Sequence, residues 1–133
     1  MKGVIPDEIK EVIFETIPIE FSILDKNDKV LAWNKHETRI FKRSEKVLGR
    51  DVRKCHPSKS IDKVEQIIQE MKDNKRDKAR FWIDLEIDKK KEKVLIEYYA
   101  LRTSEGEYIG CMEASQMITS IINLSGEKRL LEE

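Results

Sequence analysis

The sequence predicts an α+β domain with a five-stranded antiparallel sheet and helices on one face. Two observations carry this. Five short runs alternate apolar and polar residues, two early and three late, which is the period of half-buried strands. Between the two groups lies a single long run at helical spacing, so strands and helices are segregated rather than alternating as in a parallel sheet.

The elements follow in order. Pro6 with Asp7 and Glu8 opens a short helix that places Ile9, Val12 and Ile13 on one face and stops before Pro18. Ile19-Glu20-Phe21-Ser22-Ile23 alternates and KVLAW follows, so Asp25-Lys26-Asn27-Asp28 reads as a hairpin turn. Asn34 stands before KHETRIFKR as a helix cap, and Ser44-Glu45 opens a short turn ending at Gly49. Ser60 caps IDKVEQIIQEMKDN, with Ile61, Val64, Ile67, Ile68 and Met71 at helical spacing. Phe81, Ile83, Leu85 and Ile87 share one strand face, and Val94, Ile96, Tyr98 and Ala100 share another. Glu105-Gly106 marks a hairpin turn into EYIGCMEASQ. TSIINLSGEKRLLEE reads as a C-terminal helix, with Gly126 its weak point.

The totals exclude several classes. The 133 residues suit one compact core. Charged residues reach 39%, but 26 basic and 26 acidic side chains cancel, so no bulk field favours nucleic acid or an anionic membrane. No apolar run approaches the roughly 18 residues of a membrane span, and MKGVIPDEIK lacks an apolar signal core. Cys55 and Cys111 therefore read as reduced thiols of a cytoplasmic protein.

One loop concentrates chemistry. GRDVRKCHPSKSID sets Cys55 beside His56, before Pro57, among Arg50, Arg53, Lys54 and Lys59. Two readings stand for Cys55-His56. Either side chain is a known axial ligand of haem iron, or the pair only shapes the loop, since Pro57 biases His56 to extended backbone. The four cations with Ser58 and Ser60 either hold an anion at the following helix N-terminus or form a solvated basic loop. Structural zinc is not expected. Cys55, His56, Cys111 and His36 are the whole supply of soft ligands and contain no paired spacing.

WNKHETRIFKRSEKVLGRDV, with Asn34, Ser44, Glu45, Leu48, Gly49 and Arg50, resembles a PAS domain. The closing LRTSEGEYIGCMEASQMIT resembles the final PAS hairpin, and the likeness runs from about Glu11 to Thr119. GRDVRKCHPSKSIDKVEQII and GEKRLLEE are similar to PAS domains found with hemerythrin-like domains in anaerobic prokaryotes. Sensor PAS domains commonly end their last strand in Asp-Ile-Thr; here the tripeptide is Met117-Ile118-Thr119, which puts the signalling joint in question.

The resemblance implies one domain over residues 1–133, with an N-terminal flanking helix in 1–17 and a C-terminal signalling helix in 119–133. It implies a sensory module that binds a small, mostly apolar ligand or cofactor, haem among the candidates, between sheet and helices. Phe41, Val52, Ile67, Ile68, Phe81, Trp82, Tyr98 and Met112 either line that cavity or form plain core. A homodimer is expected through Ile9, Val12 and Ile13 together with Ile121, Ile122 and Leu124. The alternative is a ligand-free dimerisation module. No nucleophile, base and orienting group stand together in the sequence, so an enzyme is not expected.

Overall fold

The computed structural model describes residues 1–131. Its elements are α1 (Asp7–Thr16), β1 (Glu20–Asp25), β2 (Val30–Trp33), two 3-10 turns (Glu45–Val47 and Val52–Cys55), α2 (Ser58–Lys72), β3 (Lys78–Ile87), β4 (Lys90–Arg102) and β5 (Tyr108–Met117). The strands form one antiparallel sheet in the order β2-β1-β5-β4-β3. The expected α+β sheet is therefore the fold.

Local chemistry explains the hairpins. Asp28 sits at φ 66°, and Asp25 Oδ1 accepts from the N–H groups of Asn27 and Lys29 at 2.8 and 3.0 Å. Asp88 and Lys89 both have positive φ, which matches a two-residue turn to the twist of β3 and β4. Gly110 serves a close approach: a Cβ there would lie 2.4 Å from the Leu24 carbonyl oxygen.

The sheet has two unlike faces. Alternation along the registered strands puts Leu24, Cys111, Val94, Ile96 and Tyr98 on the inner face, under α2. Val64, Ile68 and Met71 of α2 are buried against this face, and Cys111 Sγ lies 3.8 Å from Met71 Sδ. These residues form the core. Arg102 fastens the end of α2, donating to the Met71 carbonyl at 2.6 Å and to Asn74 Oδ1 at 2.9 Å. The outer face carries Phe21, Ile23, Met112, Tyr99 and Glu97, and α1 touches it through an edge-on contact of Phe14 with Phe21.

Three expectations are corrected here. Asn34 caps no helix, and 35–43 runs as turns and bends. The Asn34 side chain instead accepts from Phe21 N–H at 2.7 Å and donates to the carbonyls of Phe14 and Ile19. α2 begins at Ser58, capped by Pro57 rather than by Ser60, because the ring holds Pro57 at φ −59° and its carbonyl accepts from Ser60 N–H at 2.9 Å. The helix expected over 119–133 is not formed among the described residues. From 118 to 131 the chain makes turns, with Gly126 at φ 63° and Leu124 77% exposed. Residues 132 and 133 lie outside the described residues. So short a helix is marginal without a surface to bury its stripe. The alternation in β1 sets Phe21 and Ile23 on the outer face and Glu20 and Ser22 on the inner face, against the 39–43 stretch.

Asn34→Ala strands two carbonyls and one N–H in a site where Asn34 is 2% exposed. It should lower unfolding stability by about 3 kcal/mol, read as a lower urea midpoint at unchanged slope. On the outer face, burial pushes Glu97 up, but hydrogen bonds from Tyr99, Arg80 and Lys78 together hold it below its ordinary value of 4.5. A carboxylate depressed in the fold contributes stability above its unfolded pKa and loses it as pH falls through the folded one. The melting temperature should therefore hold down to about pH 5 and fall below it. Glu97→Gln should start lower and fall less.

Candidate functional site

Between the inner sheet face and the 35–57 segment lies a band of charged and polar side chains. The segment is seated by backbone pairing with the first hairpin. Gly49 N–H donates to the Val30 carbonyl at 2.8 Å, Val30 N–H to the Arg50 carbonyl at 3.0 Å, and Val52 N–H to the Asp28 carbonyl at 2.9 Å. Gly49 permits this entry at φ 74°.

Part of the band is closed on itself. Arg39 is 5% exposed and donates to the carbonyls of Phe41, Phe21 and Asn34 and to Ser22 Oγ, all between 2.9 and 3.1 Å. Glu20, 4% exposed, accepts from the N–H groups of Ile40 and Phe41 at 2.6 and 3.1 Å and lies 4.0 Å from Arg39. Burial lowers the Arg39 pKa, and Glu20 opposes that shift. With nearly every donor used, this pair clamps the 39–41 loop to β1 and has little left for a ligand.

The neighbouring groups are looser. Arg43 donates from Nε to Ser22 Oγ at 3.0 Å, while its Nη2 stands 3.8 Å from Glu113 Oε2. His56 Nε2 stands 4.0 Å from the same oxygen, and Nδ1 lies 3.1 Å from the Val52 carbonyl, which sets Nδ1 as the donor. The Arg43 and His56 separations exceed hydrogen-bond length. Tyr98, 3% exposed, is hydrogen-bonded to Glu113, and burial together with that carboxylate raises its phenol far above the ordinary value. Arg43, His56, Glu113 and Tyr98 thus form a mostly buried group whose ionic contacts are incomplete.

The residues singled out from sequence divide. Val52, Ile68 and Tyr98 are buried in the core, with Phe41, Ile67 and Cys55 packed against it. Phe81 is 38% exposed and stacks on Tyr98 at 6.0 Å. Met112 does not join them. It pairs with Tyr99 and Ile23 on the outer face, while Cys111 and Glu113 on either side of it point inward. Trp82 is also on the outer face and is 61% exposed. The Cys55 thiol contacts the Asp51 carbonyl of its own turn.

Within the basic loop, Arg53 is a structural hub. Arg53 reaches Asp28, Asp51 and Glu65, and Lys72 of α2 also holds Asp28, at 2.9 Å. The Arg53 pKa rises well above its ordinary value, chiefly through Glu65. Arg50, Lys54 and Lys59 are exposed. Sequence reasoning missed Glu20, Ser22, Arg39, Arg43 and Glu113. The signal available was polar residues at every second position of strands that otherwise carry the core.

Among the described residues no three of His, Cys, Asp and Glu are grouped as a metal site, and no helix is long and apolar enough to cross a membrane. Open clefts lie elsewhere, one lined by Lys26, Lys72, Asn74 and Tyr108, another by Glu15, Lys35 and His36.

A PAS domain family model matches residues 11–119. The chain belongs to the PAS domain family. This PAS domain is similar to the C-terminal domain of a Streptococcus mutans protein, at TM-score 0.84 and 27% identity over 94% of each chain. It is similar in fold to the PAS domain of Bordetella pertussis BvgS, at TM-score 0.62 and 17% identity over 86% of this chain and 88% of that one. VqmA, which Vibrio cholerae carries and which was solved bound to DPO, matches at TM-score 0.60 and 16% identity over 81% of this chain and 56% of VqmA. No protein of curated function matches the chain in sequence.

Burial raises the Cys111 thiol to about 12 and leaves it 0% exposed, whereas Cys55 is partly exposed. At pH 8 a disulfide-exchange reagent such as DTNB should modify Cys55 in the folded protein and reach Cys111 only in denaturant. Two equally fast thiols in the native state would contradict the packing of Cys111 under α2.

Proposed function

We propose that this PAS domain is a sensory module whose signal is a small molecule held between the sheet and α2. The observation that carries the reading is the incomplete ionic group of Arg43, His56, Glu113 and Tyr98. Its separations of 3.8 and 4.0 Å leave donors and acceptors for another partner in a mostly buried place. Phe41, Val52, Ile67 and Ile68 would take the apolar body of the ligand. VqmA, which is similar in fold, was solved bound to DPO, and this supports a ligand-holding role for the domain. The ligand expected from sequence was mostly apolar; the charged side chains of Arg43, His56 and Glu113 favour one that also carries hydrogen-bonding groups.

Haem does not fit these residues. The free nitrogen of His56 faces a carboxylate that also attends Arg43, so a porphyrin would have to displace both charges from a site of low exposure. Cys55 is turned to its own backbone.

Native mass spectrometry of the purified protein, with an absorbance scan, tests the reading. A bound compound should appear as added mass, absent from Arg43→Leu and Glu113→Gln variants that keep the wild-type far-UV spectrum. Bare chain mass, both as purified and after incubation with the small-molecule fraction of a cell extract, would end it.

A second reading is a ligand-free dimerisation module, favoured by α1. None of its residues is buried, and Ile9, Val12 and Phe14 are each about half exposed, as are Ile121 and Ile122. The same spectra report oligomeric state; a bare dimer that Val12→Asp converts to monomer supports this reading.

A further inference from the structure

β3 lies at the edge of the sheet with β4 on one side only. It runs for ten residues, has no proline, and pairs with β4 without a register break. Long, flat edges of this kind are usually blunted by bulges, prolines or short length, because their free backbone groups accept another strand. Here the edge also exposes Phe81, Trp82 and Ile83, at 38, 61 and 36%.

The hydrogen-bond phase shows which groups are free. Ala100 N–H donates to the Asp77 carbonyl at 2.9 Å, so odd-numbered residues of β3 bond to β4. The N–H and C=O groups of Lys78, Arg80, Trp82, Asp84 and Glu86 therefore point away from the sheet. On their outer-face side chains, the charges before Trp82 are basic and those after it acidic.

We propose that β3 pairs with β3 of a second copy of this chain, antiparallel about a two-fold axis at Trp82, joining two sheets into one of ten strands. In this register Arg80 stands opposite Asp84 of the second copy, Lys78 opposite Glu86, and Trp82 opposite Trp82. On the inner face Phe81 stands opposite Ile83. All the hydrogen-bonded pairs fall on the even-numbered residues whose backbone groups point away from β4; of these, the Lys78 carbonyl accepts from Arg76 Nη1 at 3.4 Å, a long contact at the end of the strand. Within each copy, Arg80 already pairs with Glu97 at 2.9 Å and Asp84 with Lys93 at 2.7 Å. Across the junction the row becomes Glu97, Arg80, Asp84 and Lys93, alternating in sign over four strands. Centring on Phe81 or Ile83 instead sets Trp82 against Arg80 or Asp84. The Trp82 centre is the register in which all four charged edge positions meet their opposites. The surface is separate from the Arg43, His56 and Glu113 group and from α1, so the pairing does not rest on what that group binds.

Sedimentation of the full chain over a wide micromolar range tests this. The wild type should dimerise reversibly. Arg80→Glu and Asp84→Arg should each weaken self-association at least about tenfold, since each sets like charges opposite one another at both symmetric contacts. A one-to-one mixture of the two variants should recover the dimer, because both contacts then join opposite charges; a loss of folding would not be rescued by mixing. Trp82→Pro removes only an outward N–H, which an edge strand tolerates; it should remain folded by far-UV spectrum and be monomeric. Val12→Asp in α1 should leave the association intact. A monomeric wild type, a dimer unchanged by Trp82→Pro and by both charge reversals, or no recovery on mixing would overturn the proposal.

Discussion

The side chain of Asn34 is the point on which the arrangement depends. It is 2% exposed and joins three segments that no ladder connects: Phe14 at the end of α1, Ile19 in the link, and Phe21 in β1. An amide is suited to this because it offers two donors and an acceptor in one plane. Its own carbonyl receives Arg39, whose guanidinium holds the Phe41 and Phe21 carbonyls and Ser22. Glu20 then fixes Ile40 and Phe41 from below. A stretch with no regular structure, residues 35–43, is thereby given a single path over the sheet by buried polar bonds rather than by a helix.

This construction divides the inner face. At the α2 end the core is apolar. At the other end charges were carried inward to hold the loop, and once present they had to be satisfied. Arg39 and Glu20 are satisfied almost fully. Arg43 and His56 stand 3.8 and 4.0 Å from Glu113, beyond hydrogen-bond length, and that looseness distinguishes this group from the apolar core. The same contrast separates Arg53, bound by three carboxylates at the rim, from Arg43, which has one hydroxyl and a distant carboxylate.

Much of the site was legible as core and little of it as chemistry. Val52, Ile68 and Tyr98 followed from periodicity. Met112 was misplaced because β5 reads as apolar in both phases: Cys111 and Met112 are equally plausible inward residues until the register with β1 and β4 is known. A one-residue slip exchanges the faces of a strand, so Glu113 and Ser115 came to face α2 without any local signal strong enough to choose them. The basic loop was legible only in part: its exposed cations Arg50, Lys54 and Lys59 match the solvated-loop reading, but Asp28 and Glu65, which hold Arg53, lie 25 and 12 residues away in the chain.

Local pattern was enough for the number of strands and their order along the chain, the start of α1 at Pro6, the span of α2 to within three residues, and the turns at Asp25–Asp28 and Glu105-Gly106. Each of these is set by neighbours a few positions away, through alternation, helical period or a tolerated positive φ. Long-range contacts settled that Asn34 ties segments together instead of capping a helix, that 35–43 and 119–131 stay non-helical, and that Glu113 rather than Met112 lies on the inner face of the sheet. Those outcomes depend on hydrogen bonds and strand registers between residues far apart in the chain, or on whether a neighbouring surface exists to bury an apolar stripe, and no local pattern records either.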